Sequence, residues 1–483
     1  MLKKSIFFSS FLLLITLIYS GLPYKNLSSS YQFFLSITRI LYFSIFIIYS
    51  FKLKELSYIQ FNKNYKELNI ICNILAVVSL LIVLGIFTKF FVLLHLVLYL
   101  YLFRKSRANF YGIEQSYHQI FGLFFIFSNS NVYFSFDKLF EIDSFLMFKD
   151  STSLNFLVLS ISVCLISGFH EKLNSKLWKS GKALNIFLNL PHIAKFKYNK
   201  TFTKIFFNKY ICYIALINQV LLFSLLFNEL RIFFYIGELI FSISIMVMAP
   251  LHFIGATFVL IFSLLITTEL VNLNYINFTQ EIILGNNFDN FKVIDYTLGL
   301  LILNSFVACF YKTPIFFDKI NRYTLGLSPF GVYTEQHTNG IRVFKISGFK
   351  NSKLIYNNLF EFYNENGNVG SKQWWMPSII FGLTYRITDI CERRLGKNST
   401  IEDEKILIST FKNIINLNKK KFNDIDVLKF YIKTINPESC DGNIENWIDR
   451  NWSEIAEYNI TKRERFSWTN LPTKAVNFSR ENR

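Results

Sequence analysis

The chain is short of charge and lacks the motifs of a nucleotide-binding or metal enzyme. Only 17% of its 483 residues are Asp, Glu, Lys or Arg, fewer than a globular enzyme of this length carries. Its six cysteines are scattered, with Cys72, Cys164, Cys212 and Cys309 in apolar runs and Cys391 and Cys440 in the tail. None forms a Cys-x-x-Cys pair, so neither a zinc site nor a disulfide framework is indicated. No Gly-rich phosphate loop, dinucleotide fingerprint or nucleophile elbow is present, which argues against tightly held nucleotide. No internal repeat is evident, which weakens a secondary-transporter reading built on inverted repeats.

What is abundant is apolar surface. The chain is 52% hydrophobic and 18% aromatic, with 56 Phe and a mean hydropathy of +0.32. Long unbroken apolar runs in such a chain predict an all-α polytopic membrane protein, because only helices satisfy their own backbone in lipid. Residues 1–30 read as a signal-anchor-like segment, with Lys3 and Lys4 before an apolar stretch and a poor cleavage site after it. The following spans are predicted at 31–51, 68–88, 90–103, 117–127, 154–168, 210–227, 232–248, 253–270 and 296–311. With the first segment this makes about nine to ten transmembrane helices. Several are shorter than the ~20 residues that a perpendicular helix needs.

The net charge is +18 and follows topology rather than a nucleic-acid footprint. Residues 1–314 carry 26 Lys+Arg against 14 Asp+Glu, and 315–483 carry 25 against 19. A nucleic-acid binder would gather its excess in a soluble domain; here most of it flanks apolar segments, so membrane lipid is the expected partner and nucleic acid is not. The loop from His170 to Lys209 holds nine lysines against one acid, while Asp137, Glu141, Asp143 and Asp150 lie in an acidic loop. The positive-inside pattern puts both termini in the cytoplasm, at the inner membrane if the source is a bacterium.

Residues 315–483 change character and predict a small C-terminal α+β cytoplasmic domain. Asn339-Gly340 between alternating segments predicts a hairpin. Helices are expected at 358–364, 387–395, 402–416 and 424–435. The 273–314 stretch is a loop and the last transmembrane helix.

Ionisable groups inside apolar runs are the candidate functional residues, since they are costly there unless solvated, paired or used. Arg39 lies within the first full span, His118 opens a short one, Gln219 and Glu238 sit in later ones, and His252 follows Pro250. Arg39, Gln219 and Glu238 are candidates for one interior polar network, and Glu229 with Arg231 for a pair closing a span. The densest ionisable patch is 167–184, SGFHEKLNSKLWKSGKAL. It has two readings. In one, its lysines snorkel to phosphates and Trp178 sits at headgroup level. In the other, Lys172 is a base at the mouth of a membrane-embedded pocket. Residues 184–196 between the lysines are expected to form an amphipathic helix on the membrane surface.

The order of these motifs resembles the HTTM membrane-domain family, the vitamin K-dependent gamma-carboxylase-like proteins. Ser-Ile-Thr-Arg-Ile-Leu at 36–41 resembles its first-helix signature. Tyr133, Ser135 and Asp137 resemble its aromatic-Ser-x-Asp segment. Gly168, Lys172, Leu173, Trp178, Gly181, Ala183 and Leu184 resemble its Gly-x-x-Lys-Leu, Trp-x-x-Gly-x-Ala-Leu block, and His252 resembles a late histidine. The resemblance covers about residues 31–272. It implies a membrane-embedded enzyme with a reduced quinone as co-substrate, Lys172 as base, and a peptide or protein as further substrate. A base must act as the neutral amine, and loss of hydration at the hydrocarbon edge disfavours a cation. Arg39, His118 and His252 would polarise or orient; Arg39, Gln219, Glu238 and Trp178 would contact substrate or lipid. The family's histidine before a Tyr-Gly segment falls at Tyr117, with His118 adjacent. The alternative is a non-catalytic lipid-binding, transporter-like or peptide-export membrane protein.

Overall fold

The computed structural model describes residues 29–60, 65–106, 112–140, 150–181, 183–184, 209–248, 252–273, 303, 306–307, 341–356, 425–435, 452–460 and 465–468. The signal-anchor-like segment, the 184–196 amphipathic stretch apart from its first residue, the Asn339-Gly340 turn and the expected helices at 358–364, 387–395 and 402–416 lie outside these residues.

Helices dominate. α1 (Ser29–Gln60), α2 (Tyr65–Leu84), α3 (Thr88–Ser106), α4 (Gly112–Phe127), α5 (Phe136–Leu139), α6 (Asp150–Asn174), α7 (Lys176–Lys179), α8 (Lys209–Val220), α9 (Arg231–Met248) and α10 (His252–Asn272) follow in order. Four segments, Ser30–Phe51, Lys66–Leu84, Asp150–Asn174 and Ile254–Asn272, are long and apolar enough to cross a membrane. Thr88–Leu102, Ser116–Phe127 and Tyr210–Leu225 are shorter apolar helices. α1 packs on α2 and α10, α2 on α3, α3 on α4, α4 on α6, α6 on α8, and α9 on α10.

α6 is the central helix: 94% of its most apolar window is buried. Its sequence explains why. Ser153, Ser160, Ser162 and Ser167 are buried with its Leu, Ile and Val side chains, and small residues let neighbouring backbones approach closely. Ser162 Oγ donates back to Val158 O at 2.7 Å, so the hydroxyl needs no partner outside the helix. The helix runs on past residue 168, where the apolar run ends. His170, Glu171 and Lys172 are therefore helical rather than part of a loop.

An exposed apolar surface alternates with this core. Ile70, Ile74, Val77 and Leu80 of α2, Leu93 and Val97 of α3, Ile214 and Ile217 of α8, and Ile236, Ile240 and Ile243 of α9 are all exposed. Their three- and four-residue spacing marks one apolar stripe per helix turned away from the bundle.

The C-terminal part forms a five-stranded antiparallel sheet. β1 (Ile341–Lys350), β2 (Lys353–Tyr356), β3 (Val427–Ile435), β4 (Ser453–Asn459) and β5 (Arg465–Trp468) stand in the order β2-β1-β3-β4-β5. The expected helix at 424–435 is corrected: residues 427–435 are strand β3. Leu428 and Phe430 point into the core while Lys429 meets Glu454 and Glu457 on the other face. That two-residue period, in a β-branched and aromatic run, is a strand pattern. Trp452, just before β4, packs against the cluster of Trp178, Ala183 and Cys212. The sheet flank and the Lys172 block thus share one end of the molecule.

Candidate functional site

Lys172 lies near the C-terminal end of α6 and is 6% exposed. A snorkelling lysine would extend outward; this one turns inward. Its Nζ stands 4.9 Å from the centroid of the Trp178 ring and 5.8 Å from that of Phe241. Among the described residues it makes no hydrogen bond and no ion pair within 4.0 Å. Glu238 of α9 is the opposite charge acting on it. Glu238 is itself buried, and Asn218 Nδ2 donates to its Oε1 at 2.9 Å. Tyr117 of α4, edge-on to Phe258 at 4.3 Å, is also within the field of Glu238. Glu171 lies against His170 instead, its carboxylate 3.7 Å from Nδ1.

The local sequence builds this arrangement. Trp178 sits in the single turn of α7 and is 2% exposed. Gly181 follows with φ +73°, and its N–H donates to Trp178 O at 3.1 Å. A left-handed residue closing a helix favours glycine, so the Trp-x-x-Gly spacing is the stop that fixes the indole beneath Lys172. Cys212 Sγ donates to Gly181 O at 3.4 Å, tying α8 to the same turn. The headgroup-level reading of Trp178 is therefore corrected to a buried wall of the site. Close approach of α8 and α9 is set by Gly237, where any Cβ would collide with the Asn218 carboxamide.

Arg39 belongs to a different site, at the opposite end of the bundle. It is fully buried, and its Nη2 donates to Phe134 O at 2.7 Å. Asp137 is its counter-charge. The Asp137 carboxylate accepts from Phe87 N at 2.6 Å, Thr88 N at 2.9 Å and Thr88 Oγ1 at 2.7 Å. Those amides open α3, so Asp137 caps that helix from a distant loop. The preceding turn ends α2 at Gly85 (φ +71°), with Gly85 N donating to Ile82 O and Ile86 N to Leu81 O, both at 3.0 Å. This is a Schellman stop, and a Cβ on Gly85 would strike Ser135. At the same end Gln32 Nε2 donates to Asp150 Oδ2 at 2.9 Å. Asp150 and Lys172 are 22 residues apart on one helix, roughly 33 Å at 1.5 Å per residue.

His118 occupies a third position. Tyr42 Oη and His118 Nδ1 are 2.6 Å apart, inside a box of Phe46, His95 and Tyr99. His95 is 1% exposed and both its ring nitrogens, like His118 Nε2, are buried without a hydrogen-bond partner among the described residues. Tyr117 and His118 are neighbours on α4 but meet different partners, Tyr117 the Phe258 ring of α10 and His118 Tyr42 of α1 and Tyr99 of α3.

The structure thus brings together Lys172, Trp178 and Glu238. It separates from them Arg39 and His118, and Glu238 is bonded by Asn218 rather than joined with Arg39 and Gln219 in one network. Gln219 is buried, with its Oε1 unbonded among the described residues. Arg231 pairs with Glu269 at 3.8 Å and donates to Leu225 O at 3.1 Å, rather than closing a pair with Glu229. His252 begins α10. Sequence reasoning missed Asn218, Phe241 and His95. Asn218, beside the noted Gln219, carried a signal as a second amide in an apolar run; Phe241 carried none among 56 Phe. No family model, no curated protein and no solved structure matches this chain.

Proposed function

We propose that the chain is a polytopic membrane enzyme of the HTTM type, with about nine to ten transmembrane helices and a cytoplasmic C-terminal domain, in which Lys172 is the base. The observation that carries this reading is a buried lysine amine set against two aromatic rings, with no acceptor bonded to it among the described residues. An amine held by carboxylates would be spent on structure. This one is left for a ligand, and intramembrane ionisable groups of that kind mark function.

The residues around Nζ fit a planar apolar ring bearing a hydroxyl. Trp178 and Phe241 supply flat walls, and the amine supplies the proton acceptor. A reduced quinone brings an acidic ring hydroxyl and a source of electrons. Lys172 Nζ accepts the hydroxyl proton. The resulting ammonium rests over the Trp178 face, where cation–π attraction is worth about 2 kcal/mol when desolvated. Glu238 stabilises the same charge through space, and Asn218 holds that carboxylate in place. The aromatic walls exclude water from the proton transfer.

The test is an oxygen- and carbon-dioxide-dependent turnover assay with reduced naphthoquinone and a glutamate-containing peptide. Lys172→Ala and Lys172→Arg should both abolish turnover. Full activity in both variants would remove Lys172 as the base. A non-catalytic lipid-binding role is the second reading. It draws on His118, which faces Tyr42 and His95 and leaves the Lys172 side without that imidazole.

A further inference from the structure

Residues 131–140 include Asp137 of the acidic loop, and a connecting segment ordinarily runs open over the surface. They fold instead into a knot with its polar atoms turned inward and its rings turned outward. Phe134 O accepts from Arg39, Asp137 N donates to Gly85 O at 2.9 Å, and the Asp137 carboxylate is consumed by the start of α3. Ser135 caps α5 by accepting from Lys138 N at 3.1 Å, and its hydroxyl donates to Asn131 O. Ser36 Oγ accepts from Tyr133 N at 3.3 Å and donates to Ser130 O at 2.9 Å. The outward face is the reverse. Phe134, Phe136, Leu139 and Phe140 are 58%, 40%, 75% and 70% exposed, beside Phe87 at 53% and Phe90 at 63%. Phe134 and Phe87 both hold left-handed backbone, at φ 51° and 41°, a conformation that bulky residues rarely adopt. At Phe134 the consequence is a carbonyl aimed at Arg39 and a ring aimed away from it. Phe136 and Phe140 stack on each other, 6.1 Å between centroids.

We propose that this knot is a wedge that enters the boundary between headgroups and acyl chains at the Arg39 end of the bundle. The inference rests on the membrane-embedded reading and goes beyond it. An aqueous loop would not turn four large apolar side chains outward, beside the exposed Phe87 and Phe90, while its polar atoms face in. The occupant is lipid because the patch is continuous with the exposed apolar stripes of α2 and α3, from Leu80 and Leu84 through Phe87 and Phe90 to Leu93. Lys138 lies between the apolar residues, at the position from which an ammonium reaches phosphate. Arg39 and Asp137 thus acquire a role besides packing: they hold the wedge at a fixed depth.

The test places a photoreactive p-benzoylphenylalanine at Phe140, at Leu139 and, as a lipid-facing reference, at Leu93. The full-length protein is reconstituted in vesicles of phosphatidylcholine and phosphatidylglycerol and irradiated, and adducts are read by mass spectrometry. All three positions are exposed, so the substitutions leave the core intact. Lipid adducts at Phe140 and Leu139 with yields comparable to Leu93 are expected. Adducts at Leu93 but none at Phe140 and Leu139, or adducts of those two with a second copy of the chain, overturn the wedge and leave the membrane reading standing. No lipid adduct at Leu93 overturns the membrane reading and the wedge with it.

Discussion

Replacing Asp137 by alanine removes the cap of α3 and the counter-charge of Arg39 in one step. Four donors lose their acceptor: Phe87 N, Thr88 N, Thr88 Oγ1 and, at 3.5 Å, Asn131 Nδ2. Hydrogen bonds to a charged acceptor are each worth about 1.5–3 kcal/mol, but they share one carboxylate and do not add. Asp137 also acts through space on the fully buried Arg39, whose guanidinium bonds Phe134 O rather than the carboxylate. The expected loss for Asp137→Ala is therefore about 2–4 kcal/mol, set by the buried donors left without an acceptor. Asp137→Asn keeps one acceptor oxygen and should lose about half as much. If the charge term dominates, adding Arg39→Met to Asp137→Ala should recover part of the loss, a coupling that a double-mutant cycle reads directly. The assay is equilibrium unfolding in mixed micelles, paired with hydrogen exchange at Phe87 and Thr88. A change within about 0.5 kcal/mol for Asp137→Ala, the range of a plain surface substitution, with both amides still protected, would refute the reasoning.

Two further outcomes follow from the geometry. Tyr42→Phe leaves His118 Nδ1 without its partner at 2.6 Å, which should destabilise the bundle by about 1–3 kcal/mol; His118→Phe in that background should cost less than His118→Phe alone, as thermal unfolding in detergent will show. In the sheet, burial pulls the Lys429 ammonium down, but the hydrogen bond and charge of Glu454, with Tyr431 and Glu457 adding, hold it above the ordinary lysine value. Its contribution is thus complete below the ordinary lysine range near 10.5 and disappears as pH rises through the raised value. Chemical denaturation of the whole protein between neutral and strongly alkaline pH should lose stability on that side, and Lys429→Met should flatten that part of the profile.

How much of this was legible depends on what each pattern is made of. Apolar runs are a local property, so the spans at 31–51 and 253–270 correspond within a few residues to the apolar segments Ser30–Phe51 and Ile254–Asn272, although α1 itself runs on to Gln60. Helix ends were less legible. The run after Leu154 loses hydrophobicity at Gly168, yet α6 continues to Asn174 because tertiary burial, not composition, carries the last two turns. Residues 424–435 were misread because Lys429 and Lys433 between apolar residues suit an amphipathic helix as well as a strand. The pairing of Val427–Ile435 with β1 on one side and β4 on the other decided it, and such long-range pairing leaves no local trace. Lys172 was legible as an unusual residue in an unusual block. Its direction was not: whether a lysine near a helix end snorkels or folds inward depends on whether an indole six residues on is buried beneath it. The separation of Tyr117 from His118 likewise follows from which neighbours flank α4.

The most direct measurement is the small-molecule content of purified wild-type protein and of Lys172→Ala, extracted and read by mass spectrometry. The account predicts a quinone or comparable redox lipid, near one per chain in the wild type and lost in the variant. Bulk phospholipid alone in both samples would contradict it and leave Lys172 as a structural residue stacked on Trp178.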